Sequence, residues 1–297
     1  MKEFEFVKLL KEISPPSPCG IGDDAAVIGD LLIAKDIMTE GVHFTRSENI
    51  RDVIDRLFIS NISDIAAMGG LSTGFQALLG VAMPETFDKK RLIEAISFTV
   101  KKYNISLIGG DTSLSKRELF LTLTIIGKRN KQILTRSGAK PGDKVYLSRP
   151  TGGAQYKLYR RLGILNNYYH AIEMDNSPEH ELGEFLGRTE GVNACVDISD
   201  GLGRDLSQIA AASGVRIIIK KAALPLPKLP LTHEQLYEYA LSSGEEYALL
   251  FTAEQGTKIA YDKPLYEIGN ISEGSGCFMA EDNGHLTDIS QMGHEHE

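Results

Sequence analysis

A subset of aspartates in this chain stands apart from ordinary solvated carboxylates. Asp23 and Asp24 follow Gly20-Ile21-Gly22, Asp36 interrupts the apolar run LLIAKDIM, and Asp64 sits inside ISNISDIAAMGG. Asp111 follows Gly109-Gly110, and Asp197 and Asp200 bracket Ile198-Ser199. An ionised carboxylate in apolar surroundings is costly unless it is paired or bound to metal. Basic residues are scarce beside these aspartates, and carboxylates drawn together repel and raise one another's pKa values. Divalent cations relieve both problems. Magnesium takes oxygen ligands, keeps several waters and is held by carboxylates together with substrate phosphates. Each aspartate alone has a plainer role open to it: Asp24 as a turn former, Asp64 on a helix surface, Asp200 as the N-cap of a following helix. Taken together they point to metal-mediated binding of a polyphosphate.

The glycines of GIGDD, IGGD and ISDGLG fit that chemistry, because they let backbone approach a ligand closely and cradle phosphates with N–H groups. No GxxxxGK[ST] motif, protein-kinase signature set, GxSxG, HExxH or post-strand GxGxxG is present. A nucleotide site here is therefore acidic and metal-rich rather than built on a lysine. His285, His294 and His296 near MGHEHE read as surface rather than as a metal site.

The elements that must position these residues alternate in kind. Residues 2–13 place Phe4, Val7, Leu10 and Ile13 at helical spacing, stopped by SPPSP (14–18). A glycine-rich turn then leads into a strand, and 31–38 is a second strand carrying Asp36. Residues 51–69 form a helix with Val53, Ile54, Leu57, Phe58, Asn61, Ile62 and Ile65 on its inner face. Strands are expected at 72–84, 105–111 and 119–128, with a helix at 86–103 and a turn at Asp111. The turn formers of 137–143 mark a domain boundary. Beyond it come a strand at 144–150, helices at 154–163 and 178–187, a strand ending near 199, and a helix at 200–214 closed by Gly214. The strand VRIIIKK, a proline-rich connector (224–231), a helix at 233–241 and a strand at 247–253 follow. Strands and helices mix in both halves, which predicts an α/β or α+β protein of two domains, 1–138 and 139–297.

Bulk properties agree. The 297 residues are 42% hydrophobic and 24% charged, the balance of a globular protein with room for two cores. A net charge of −8 argues against nucleic acid as a partner. No run approaches the roughly 20 apolar residues that span a bilayer, which argues against a membrane. The N-terminal segment lacks the features of a signal peptide, so the cytoplasm is expected. Cys19, Cys195 and Cys277 are scattered and odd in number, forming neither a disulfide framework nor metal-ligand spacing.

In order along the chain, GIGDDAAV, DxxxEGVHF (Asp36 to Phe44), NISDIAAMG, LIGGDT, TRSGAKPGD, DISDGL and SGEEYALLF resemble the thiamine-monophosphate kinase family. The likeness runs from about residue 4 to residue 290. These motifs are specific for the superfamily that also holds aminoimidazole ribonucleotide synthetase and selenophosphate synthetase. The resemblance implies a homodimer whose N-terminal sheets pair into a shared barrel. It also implies transfer of the γ-phosphoryl group of ATP to thiamine monophosphate with several Mg2+ ions. Carried over by motif, Asp24, Asp36, Asp64, Asp111, Asp197 and Asp200 are the implied metal ligands. Tyr103, Gly110, Asp111, Arg136 and Ser199 are the implied ATP contacts, and His43, Glu245 and His294 the implied substrate contacts. No residue is assigned as general base, since a substrate phosphate is already ionised.

The chain departs from the family pattern in four places. Ala34 and Lys35 stand where hydroxyl residues usually precede Asp36, which makes Lys35 a candidate replacement for a cation. Gly152-Gly153 replaces Gly-Asp, HAIEMDNSPEHELG replaces an arginine-rich stretch, and His294 replaces a C-terminal aromatic. Two alternatives follow from these departures: another ATP-dependent synthetase or kinase of the superfamily, and a non-catalytic nucleotide-binding homologue.

Overall fold

A computed structural model describes residues 3–13, 21–165 and 177–294. After helix α1 (Glu3–Ile13), strands β1 (Ala26–Ile28) and β2 (Leu31–Thr39) form a hairpin. Helix α2 (Ile50–Ala67) begins at Asn49, whose side chain accepts from the Arg51 N–H, as an N-cap should. Strand β3 (Gln76–Met83), helix α3 (Lys89–Lys102) and strand β4 (Ser106–Leu114) make a parallel crossover, and β5 (Phe120–Lys128) returns antiparallel. The resulting sheet runs β1-β2-β5-β3-β4.

One face of this sheet is covered and the other is open. Along β5, Leu121, Leu123 and Ile125 are buried, packing with Leu57, Phe58 and Ile62 of α2. The alternate residues Thr122 and Thr124 lie on the opposite face, as a period of two requires. On β2 the same alternation separates Asp36 from Lys35. The Lys35 ammonium donates to Thr122 Oγ1 at 2.6 Å and to Thr124 Oγ1 at 3.4 Å. Lys35 therefore serves the open face and does not replace a cation among the aspartates.

The second sheet holds β6 (Lys144–Leu147), β7 (Val192–Asp197), β8 (Arg216–Lys220), β9 (Leu249–Ala253), β10 (Tyr266–Ser272), β11 (Gly276–Ala280) and β12 (Leu286–Asp288). Its order is β12-β11-β8-β10-β6-β9-β7. Helices α4 (Gly153–Arg161), α5 (His180–Leu186), α6 (Leu202–Ser213) and α7 (His233–Ser242) accompany it. Gly214 closes α6 in the left-handed conformation, as the sequence predicts. A third apolar cluster joins α2 to the second sheet, with Ala66 and Ala67 against Leu182, Leu186, Leu249 and Phe251. The helix end that carries Asp64 is thus the seam of the molecule.

Three features differ from the sequence expectations. Strands β10 to β12 were not foreseen. Asp111 does not sit in a turn, because β4 continues through Gly109-Gly110-Asp111 to Leu114. Asp200 is not the N-cap of α6; Gly201 holds that position, without a side-chain cap. The expected features of 14–20, including Cys19, and of 166–176 lie outside the described residues, whereas Cys195 and Cys277 are free and buried.

Gly110 is what allows β4 to run through. It has φ +152°, and a Cβ there would come within 1.9 Å of the Leu79 carbonyl oxygen. Gly110→Ala is therefore expected to cost about 3 kcal/mol of stability, read from chemical denaturation. A change below about 0.5 kcal/mol would mean that the strand relaxes freely at this point.

Candidate active site

Three separate elements deliver carboxylates to one place. Asp24 comes from the turn before β1, Asp64 from the last turns of α2, and Asp197 from the C-terminal end of β7. Oxygens of these three lie within 4.8 Å of one another. Asp36, reaching inward from β2, adds its field to the group and accepts a hydrogen bond from Ser60. Two oxygens, Asp24 Oδ2 and Asp36 Oδ2, are buried with no hydrogen-bond partner. Buried polar atoms are rarely left so, and orphaned carboxylate oxygens beside other carboxylates suit a hard divalent cation. The donor set fits magnesium.

The electrostatics follow from that crowding. Burial pushes the Asp64 carboxyl well above the usual range, with Asp36, Asp197 and Asp24 adding repulsion. Burial and Asp24 push Asp197 up to about 8, against a hydrogen bond from Ser63 Oγ at 2.5 Å and the attraction of Arg136. Burial also raises Asp24 and Asp36. Arg136 supplies the counter-charge. Its Nη2 and Nε donate to Asp24 Oδ1 at 2.6 and 3.2 Å, and its backbone N–H donates to Asp23 Oδ1 at 3.0 Å. Burial works against the Arg136 charge, but Asp24 outweighs it and holds the guanidinium firmly protonated.

The loop after β7 is braced from within. The buried Asp205 carboxylate accepts from the N–H groups of Ser199, Asp200 and Gly201 at 3.1, 3.3 and 3.2 Å. This side chain, from the first turn of α6, ties the loop that precedes the helix back onto it. Gln208 links Asp205 Oδ1, at 3.1 Å, to the Arg136 guanidinium. Ser199 and Asp200 are thereby held in a braced loop just beyond Asp197, although Asp200 is not among the three converging carboxylates. His294 reaches the same loop, its N–H donating to the Asp200 carbonyl at 2.7 Å.

His43 and Glu245 come together through a residue that sequence reasoning passed over. Arg56 donates to Glu245 Oε2 at 3.1 Å and to the His43 carbonyl at 3.1 Å. The signal was present: Arg56 stands four and eight residues before Ser60 and Asp64, on one face of α2. Asp205 and Ser63 were also missed. The structure does not bring Tyr103, Gly110 and Asp111 into the three-carboxylate group. Tyr103 follows α3, under the Lys102 ammonium at 4.6 Å, and Asp111 is exposed on β4, accepting from the Thr112 N–H at 2.8 Å.

Comparison with known proteins agrees with this geometry. Residues 22–128 match the family model for AIR synthase related protein, N-terminal domain. A thiamine-monophosphate kinase of Pyrococcus horikoshii is 30% identical, covering 100% of this chain and 96% of its own. That of Bacillus subtilis is 34% identical, over 86% of this chain and 85% of its own. A solved structure described as AaThiL complexed with AMPPCP and TMP superposes with a TM-score of 0.87 at 28% identity, covering 100% and 97% of the two chains. The hydrogenase maturation protein HypE in complex with ATP shares the fold, with a TM-score of 0.73 at 18% identity over 95% and 89%.

The raised Asp197 pKa sets a pH dependence. The unfolded carboxyl loses its proton near 3.8 and the folded one near 8. Over that window the folded state binds more protons, so the metal-free protein loses stability as pH rises. Asp197→Asn is expected to exceed the parent by on the order of 2 kcal/mol at about pH 8, with the gap narrowing toward pH 4. Urea unfolding with chelator at both ends of the window checks this; a gap independent of pH would contradict it.

Proposed function

We infer the details of the reaction from one premise: the chain belongs to the thiamine-monophosphate kinase family, and it is an ATP-dependent kinase that phosphorylates thiamine monophosphate to thiamine diphosphate. The observation that carries the chemistry is the convergence of Asp24, Asp64 and Asp197 with two orphaned carboxylate oxygens. We propose that these residues, with Asp36, Asp111 and Asp200, hold several Mg2+ ions. Such ions, when bound, would neutralise repulsion between the two phosphates and stabilise the transferring group.

The protein's own residues have the remaining tasks. Asp24, Asp36, Asp64 and Asp197 are preset by burial to want a cation. Arg136 occupies Asp24 and is placed to exchange that partner for phosphate oxygens, to which its planar fork is suited. Tyr103, Gly110, Asp111 and Ser199 complete the proposed ATP contacts. His43, Glu245 and His294 are the proposed acceptor contacts. An acceptor phosphate is already a nucleophile, so transfer is direct and in line, with no general base and no phospho-enzyme.

We further propose that residues 1–138 form the ATP- and metal-binding, dimer-forming domain and 139–297 the second domain. The separate sheets support this division. A homodimer is supported by β4, an edge strand exposed along its whole length, and by exposed apolar side chains on β2 and β4. Ile37 on the open face is 56% exposed, and Ile108 and Leu114 along β4 are 50% and 69% exposed. An uncovered edge of this kind invites pairing. Among the described residues no helix is long and apolar enough to cross a membrane. We propose a cytoplasmic location, a reading supported by the free, buried thiols of Cys195 and Cys277.

Chromatography of ATP, thiamine monophosphate and magnesium incubated with the enzyme is expected to show thiamine diphosphate, lost with chelator and reduced at least about 1,000-fold in Asp64→Asn. A chiral γ-phosphoryl group should arrive inverted; retention would mean a phospho-enzyme. Ile108→Asp is expected to convert the dimer to monomer in light scattering, and an unchanged mass would place the interface elsewhere.

A further inference from the structure

Neither the metal chemistry nor the proposed ATP and acceptor contacts account for Arg56. Its side chain is 21% exposed and bridges three acceptors on two segments. Nη1 donates to Glu245 Oε2 at 3.1 Å. Nη2 donates to the His43 carbonyl at 3.1 Å and to Glu48 Oε2 at 3.3 Å. His43 and Glu48 belong to the loop between β2 and α2, whereas Glu245 belongs to the turn entering β9. Glu48, with a side chain 7% exposed, also takes the guanidinium of Arg161 from the end of α4. Two arginines and two glutamates thus balance one another, which offsets the cost of removing them from water.

The Glu245 end of this bridge is already constrained. Glu245 has φ +54°, a conformation that costs a non-glycine residue about 1–3 kcal/mol unless its surroundings enforce it. Its N–H donates to the Ser199 carbonyl at 2.8 Å, two residues beyond Asp197. Its backbone is therefore tied to the carboxylate group, and Arg56 governs where its side chain points. Arg56, Ser60 and Asp64 share a face of α2. An eight-residue step places Arg56 about 12 Å along the axis from Asp64. One rigid helix thus carries both the transfer end and the acceptor end of the site.

We propose that Arg56 is a positioning residue for the acceptor: it fixes the Glu245 carboxylate and the His43 loop in the geometry that receives the organic part of thiamine monophosphate, and it plays no part in binding ATP. The inference rests on the assignment of His43 and Glu245 to the acceptor. A lysine would present a compact point charge in place of the planar fork whose two Nη atoms divide these partners.

Steady-state kinetics of the magnesium-loaded enzyme test it. Arg56→Met is expected to raise the KM for thiamine monophosphate about 10-fold to 100-fold, with kcat and the KM for ATP within about threefold. Arg56→Lys should fall between, and Glu245→Gln in the Arg56→Met background should add little. An unchanged acceptor KM, or an equal rise in both KM values, overturns the proposal. Should Arg56→Met fail to fold, Arg56→Lys at an unchanged melting temperature decides by the same split. Absence of thiamine diphosphate with the parent enzyme would overturn the acceptor reading and this inference with it. Product formation by the parent, with indifferent variants, overturns this inference alone.

Discussion

Crowded negative charge is the constraint around which this molecule is arranged. Asp24, Asp64 and Asp197 sit within 4.8 Å of one another, with Asp36 adding to the repulsion. Water is largely excluded, so each charge opposes the next at short range. A protein selected only for stability would not assemble this group. The surrounding structure is correspondingly over-built: Arg136 reaches from one connecting loop to Asp24, Ser63 supports Asp197, and Asp205 gathers three backbone N–H groups. On the proposed function, the charges are brought together to wait for cations and phosphate.

Helix α2 is the element that makes this possible. One side packs on the first sheet through Leu57, Phe58 and Ile62, and its end enters the seam through Ala66 and Ala67. Gly183 on α5 lies so close to it that a Cβ there would meet the Ala66 carbonyl at 2.3 Å. The polar stripe Arg56, Ser60 and Asp64 is therefore held by apolar packing on both flanks. Distances along a rigid helix do not drift, which suits a reaction that depends on alignment.

Much of this was legible in the sequence, for identifiable reasons. Charged residues within apolar runs pointed to Asp36, Asp64 and Asp197, and the glycines around Asp24 and Asp111 pointed to close approach of backbone. Period-two alternation was enough to put Lys35 and Asp36 on opposite faces, had it been applied there. The partnership of Arg136 with Asp24 spans 112 positions, and no local pattern encodes it. Strands β10 and β11 escaped notice because YEIGNIS breaks alternation with glycine and polar residues, and GCFMA is short and apolar without alternation. In β10 this coincides with a register shift between Glu267 and Gly269. The turn expected at Asp111 failed because paired glycines were read as a chain reversal, whereas Gly110 serves close strand packing.

The contact between His294 and the Asp200 carbonyl has a bearing on how the enzyme is made. The loop carrying Asp200 leaves the ribosome well before the segment that braces it, and Gly293 must then pack with no room for a Cβ, since one would meet the Asp200 carbonyl at 2.6 Å. Contacts between distant stretches of chain form late in folding, after loop closure has been overcome. A nascent chain can therefore bury its cores and still lack a finished Asp200 loop. Competence waits for this distant contact rather than growing with the cores.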